Sequence, residues 1–220
     1  MSKQQQNPQR RPARGWERKK ANRDTYEEIL EAAGRSFSQN GYEGSSLAEI
    51  AGEVGIKTPA LYYHFKSKKD ILYAYLVRAA QHINVGIEEA IGGAGKDPAE
   101  RLSAFVVAYI QTQLEMAETM PAVNTIVFSS SLERALDPEQ VTWIRDWERS
   151  VIEHIRKILR AGKRKKKFTY VNLNATTFYL MGAIDYVVNW YRPGGDLSID
   201  EVSEEYAQLA LTTVGAASES

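Results

Sequence analysis

The sequence predicts an all-α protein, with an N-terminal three-helix unit followed by a larger helical domain. Apolar residues recur at three- and four-residue intervals over long segments, whereas alternating strand-like runs are almost absent. Glycine and proline gather at a few points and divide these segments into pieces of helical length. With 220 residues, 43% of them hydrophobic, the chain can bury a core in one large domain or two modest ones.

Composition narrows the function. The chain has no cysteine, which excludes disulfides, thiolate catalysis and cysteine-ligated zinc. No apolar run is long enough to span a bilayer and the N-terminus lacks a secretory apolar segment, so no membrane partner and a cytoplasmic location are expected. Lys plus Arg and Asp plus Glu balance at 28 each, yet Arg10, Arg11, Arg14, Arg18, Lys19, Lys20 and Arg23 crowd the start around a lone Glu17. Residues 1–23 are expected to form a disordered basic arm, the local signature of a polyanionic partner.

Each helix has its own signals. Asp24 or Thr25 can cap a first helix with Ile29, Leu30, Ala33 and Phe37 on its buried face, closing at Gly41. Ser46 and Glu49 form a capping box for a short second helix that buries Leu47, Ile50, Ala51 and Val54 and stops at Gly55. Thr58 as N-cap and Pro59 at the first helical position start a third helix. Ser67 caps a fourth, which runs to about Ile91. Further helices are expected over 98–118, 123–136, 138–161, 171–191 and 199–214, with Gly162 ending the helix that begins at Pro138.

The stretch "TPALYYHFKSKK" carries the functional argument. Two short helices around a tight glycine turn form a helix-turn-helix, which lays its second helix in the DNA major groove. Leu61 and Phe65, four apart, face the core, leaving Tyr62, Tyr63 and His64 outside to meet phosphates, sugars and base edges. Lys66, Lys68 and Lys69 follow as charges for the DNA backbone.

At these residues the chain resembles the TetR family of bacterial transcription regulators. The likeness lies in "SSLAEIAGEVGIKTPALYYHFKSKKDIL", with mild departures at Ser46, Glu53 and Val54, where Thr and Ala are commoner. The resemblance implies a DNA-binding domain over residues 24–67 and a ligand-binding and dimerisation domain over residues 68–215. It places Thr58, Pro59, Ala60 and Tyr63 towards the bases of double-stranded operator DNA, and Ser46, Tyr62, His64 and Lys68 on phosphates; because Ala60 offers only apolar contact, Lys57 is expected to add to specificity with Thr58 and Tyr63. It further implies a homodimer, built here from the helices over 138–161 and 171–191.

The larger domain is rich in aromatic residues and methionine, the lining of an apolar effector pocket as well as of a core. Phe105, Tyr109, Met116, Met120, Phe128, Trp147, Phe178 and Tyr186 are its candidate ligand residues, with Arg145 and Arg149 as a cationic rim beside Arg134 and the 163–167 basic run. The segment "NWYRPGGDLSIDEVSEEY" is similar to TetR-type regulators of fatty-acid and sterol breakdown, which implies an acyl-CoA thioester as effector. The alternative is a repressor of a drug-efflux or other metabolite operon. The histidines His64, His82 and His154 lack zinc-site spacing, and no nucleophile elbow, P-loop or dinucleotide fingerprint occurs. Hence no catalytic residue, metal or cofactor other than the effector is expected.

Overall fold

A computed structural model describes residues 14–119 and 132–216. Its elements are α1 (Arg14–Gly44), α2 (Leu47–Val54), α3 (Thr58–His64), α4 (Lys68–Gly93), α5 (Pro98–Thr119), α6 (Leu132–Ala135), α7 (Pro138–Arg164), α8 (Leu173–Asp185), α9 (Val187–Trp190) and α10 (Ile199–Thr213). The described residues contain no strand, as the periodicity predicts. Met120 and Phe128 lie outside the described residues, as does the part of the basic arm before Arg14.

The small unit consists of α1, α2 and α3 against the first turns of α4. Ile29, Leu30, Phe37, Ile50, Leu61, Phe65 and Ile71 form its core, all nearly inaccessible. Backbone helix in α1 begins at Arg14, well before Asp24 and Thr25, because the Arg- and Lys-rich segment is a good helix former and contains no proline. Gly41 interrupts α1 at φ 70, ψ 169, a conformation nearly reserved for glycine. Gly55 ends α2 in the left-handed region, at φ 76.

α4 connects the small unit to the rest. Its Tyr75 is fully buried and packs edge-on against Phe37 at 6.2 Å. An ideal Cβ on Gly34 would lie 2.6 Å from Tyr75 Cε2, so the missing side chain lets α1 and α4 approach. Arg78 Nη1 sits 2.9 Å from Glu27 Oε2, an ion pair between the same two helices without hydrogen-bond alignment. At the other side Lys69 pairs with Asp137 at 2.7 Å, and Tyr73 meets Trp143 edge-on at 6.0 Å, which joins the start of α4 to the start of α7.

In the large domain α5 is central, lying along α4, α7 and α10. The expectation for Gly162 is corrected. It does not end the helix; it is buried inside α7, which continues to Arg164. An ideal Cβ there would fall 1.9 Å from Phe168 Cδ2, so glycine makes room for the returning chain. Among the described residues, no helix is long and apolar enough to cross a membrane.

Candidate nucleic-acid interface and sensor core

The reading surface starts with α2. Its N-cap Ser46 accepts from Glu49 N–H at 3.1 Å, and Glu49 Oε2 accepts from Ser46 N–H at 3.2 Å. The Ser46 hydroxyl keeps its own proton for an outside acceptor. α3 follows after Gly55. Lys57 is its N-cap and Thr58 its first residue, one position earlier than expected, with Pro59 still in the first turn, where its missing N–H costs nothing. Leu61 is fully buried and Phe65 stacks on Tyr26 at 4.8 Å, so α3 is held by its inner face.

The outer face carries the expected side chains. Lys57, Pro59 and Ala60 are exposed, Thr58, Ser46 and His64 are half-buried, and Tyr62 and Tyr63 are 52% and 77% exposed. Two large rings left in water beside a well-packed helix are costly unless something covers them. His64 packs edge-on against Tyr63 at 5.6 Å.

Lys68 is placed differently from the phosphate-facing position expected. Its ammonium donates to the carbonyls of Tyr42, Glu43 and Ser45 at 2.6, 3.2 and 2.9 Å. All three of its protons are used in closing the end of α1 and the turn into α2 onto α4.

In the large domain, Phe105 and Tyr109 stack at 5.8 Å, and both are buried with Met116. The Tyr109 hydroxyl donates to Asp185 Oδ1 at 2.7 Å, and Gln113 Nε2 donates to the same oxygen at 3.2 Å. Gln113 Oε1 is buried without a hydrogen-bond partner among the described residues. Burial pushes the Asp185 carboxyl above the usual carboxylate range, the Tyr109 and Gln113 donors opposing, and pushes the Tyr109 phenol well up as well. Asp185 and Gln113 were not among the expected ligand residues. The signal for Asp185 was a lone acid in the apolar run "LMGAIDYVV". Trp147 is half-buried and donates from Nε1 to Asn84 at 3.1 Å.

Four ligand expectations are corrected. Phe178 and Tyr186 are 55% and 64% exposed and line no interior. α8 is apolar on two sides, and Thr177, Leu180, Met181 and Ile184 take the inward one. Arg145 is bound to Glu148 at 3.0 Å and Arg149 to Asp146 at 2.6 Å, so neither is a free cation for a ligand. Of the basic run, Lys163 donates to the Tyr170 carbonyl, Lys165 to the Lys96 carbonyl and Lys167 to Asp97. Among the described residues, no group of His, Asp and Glu is arranged to hold a metal.

A core-anchored helix-turn-helix with an exposed second helix, joined by one long helix to a larger all-α domain, defines a two-domain DNA-binding regulator. Residues 29–75 match the model of bacterial regulatory proteins of the tetR family, and residues 95–214 match that of tetracyclin repressor-like C-terminal domains. The chain belongs to the TetR family of DNA-binding transcription regulators, which are not enzymes. It is similar to the HTH-type transcriptional repressor KstR2 of Rhodococcus jostii, with 25% identity over 185 residues that span 84% of this chain and 88% of the relative. The structure of the TetR family regulator PfmR from Thermus thermophilus aligns with a TM-score of 0.73 at 29% identity, covering 84% of this chain and 97% of that one. AibR, solved in complex with isovaleryl coenzyme A and operator DNA, aligns with a TM-score of 0.74 over 85% of this chain and 98% of its own. At 20% identity that likeness establishes the fold alone.

Proposed function

We infer that the protein is a homodimeric repressor that binds a palindromic operator and is released by a small apolar effector, an acyl-CoA thioester of lipid or sterol catabolism. The observation that carries the DNA reading is the outward pair Tyr62 and Tyr63 on a helix whose Leu61 and Phe65 are locked in the core. Thr58, Ala60 and Tyr63 serve the base edges, with Lys57 and Pro59 beside them; Ser46, Tyr62 and His64 serve phosphates. The repressor reading is supported by the likeness to the transcriptional repressor KstR2, and the effector class by the complex of AibR with isovaleryl coenzyme A.

The effector's apolar part would lie by Phe105, Tyr109 and Met116, with the Gln113 oxygen and the Asp185 carboxyl as polar contacts. Release follows if the effector favours a state in which α4 is displaced, since α4 joins both units through Arg78 and Lys69. The two reading helices must stay roughly one DNA turn, about 34–36 Å, apart. The test is operator selection from random DNA, followed by titration of the complex with a panel of acyl-CoAs and of neutral drug-like molecules. Release by acyl-CoAs alone supports this reading. Release only by the neutral compounds makes the protein a drug or metabolite sensor instead.

A further inference from the structure

At the end of the large domain remote from α3, a depression of about 140 Å³ opens between the last turn of α4, the first turn of α5 and the C-terminal half of α7. Ile91, Pro98 and Ile158 form its apolar walls, and Lys96, Arg101, His154 and Lys157 bring basic groups to it; no acid lines it. Lys96, Arg101 and Lys157 make no side-chain ion pair among the described residues, unlike Arg145, Arg149, Arg160 and Lys167. Two nearby acids are engaged elsewhere. Asp97 is held by Lys167 and Glu153 by Arg160, and the exposed Glu100 does not line the depression. The Lys167 contact, with the Ala99 N–H, lowers the Asp97 carboxyl below its usual range, so it stays ionised and satisfied where it is.

Like charges around a low-dielectric depression focus a positive potential into it. His154 Nδ1 lies 2.9 Å from the Ser150 carbonyl oxygen and donates to it. Operator DNA does not reach this place. Lys68, beside the reading unit, and Ile91, in the wall, stand at opposite ends of α4, roughly 35 Å apart at 1.5 Å per residue.

We propose that this depression binds the phosphate groups of a phosphorylated small molecule, with Arg101 and Lys157 as its principal ligands. The source is either the nucleotide part of a coenzyme A derivative or an independent phosphorylated metabolite. The site stands on its own geometry and does not need the acyl-CoA reading.

The experiment titrates the full-length protein at low salt with inorganic pyrophosphate, coenzyme A and phosphate-free pantetheine, read by calorimetry. Wild type should bind pyrophosphate and coenzyme A but not pantetheine, and the affinity should fall as salt rises. Arg101→Ala with Lys157→Ala should weaken binding by about tenfold or more, while Arg101→Lys with Lys157→Arg should retain most of it. Circular dichroism checks that both variants fold. Coenzyme A binding far more tightly than pyrophosphate assigns the site to the nucleotide; equal affinities assign it to a free phosphorylated ligand. Absence of pyrophosphate and coenzyme A binding, or equal binding by the alanine variant, overturns the proposal. Failure of acyl-CoAs to release DNA while pyrophosphate still binds would count against the effector reading only.

Discussion

The Nζ of Lys68 sits 4.5 Å from the centroid of the Tyr42 ring and at the same time donates at 2.6 Å to the carbonyl of that tyrosine. One side chain thus satisfies three carbonyls at the end of α1 and the turn into α2 and places its charge on an aromatic face. Lys68→Met should therefore destabilise the fold by about 1–3 kcal/mol, since it leaves carbonyls without their donor. The denaturant midpoint checks this. The slope of log operator affinity against log salt should not change; a drop of about one unit would return Lys68 to the DNA phosphates.

Tyr62 and Tyr63 are neighbours with different expected roles. Tyr62→Phe should weaken specific and random DNA alike, because only a phosphate contact is lost. Tyr63→Ala should shift base preference. Binding selection on random DNA separates them, and an unchanged consensus for Tyr63→Ala would exclude it as a reader.

Gly162 faces the buried ring of Phe168 with no room for a methyl group. Gly162→Ala should cost about 1–3 kcal/mol by overpacking. Pairing it with Phe168→Leu should recover part of the loss. An unaltered urea midpoint for the single variant would show that the ring has space to retreat.

The buried Asp185 makes stability depend on pH. Burial raises its pKa in the folded chain, so the folded state holds the proton more tightly than the unfolded one. The associated stability is complete below the unfolded value of about 3.9 and is lost as pH rises through the folded value. Asp185→Asn keeps an oxygen for Tyr109 and Gln113 but cannot ionise. Wild type should therefore lose stability relative to this variant as the pH climbs from about 4, and melting curves at several pH values measure the difference. A constant difference would show that Asp185 ionises in the fold as readily as in the unfolded chain.

These sites differ in how far the sequence revealed them. Caps and anchors are local, so the Ser46 and Glu49 box, the Gly55 stop and the division of Leu61 and Phe65 from Tyr62 and Tyr63 could be read directly. The first turns of α1 could not, because a basic segment suits a helix and a solvated arm equally. Lys68 misled for a related reason. A lysine at a helix start reads as a phosphate ligand unless the carbonyls it closes over, 23 to 26 positions earlier, are known. In α8 both faces are apolar, and only packing decides that Leu180 and Ile184 turn inward while Phe178 and Tyr179 turn outward.

Phe178 and Tyr179 on α8, Tyr186 just after it and Leu209 on α10 are 55%, 65%, 64% and 58% exposed. In contrast α7, expected to share the dimer contact, buries Ile144, Val151, Ile155, Ile158 and Leu159 within its own chain. Aromatic residues concentrate at the centres of protein interfaces, and the symmetry of a palindrome asks for a twofold partner. Tyr179→Glu with Tyr186→Glu should leave the fold nearly as stable as before, because neither ring supports the core. It should convert a dimer to a monomer in sedimentation and sharply reduce operator affinity, since two linked half-sites are no longer read together. If the double variant sediments as a dimer, the interface lies elsewhere, and the exposed face of α8 needs another partner to explain it.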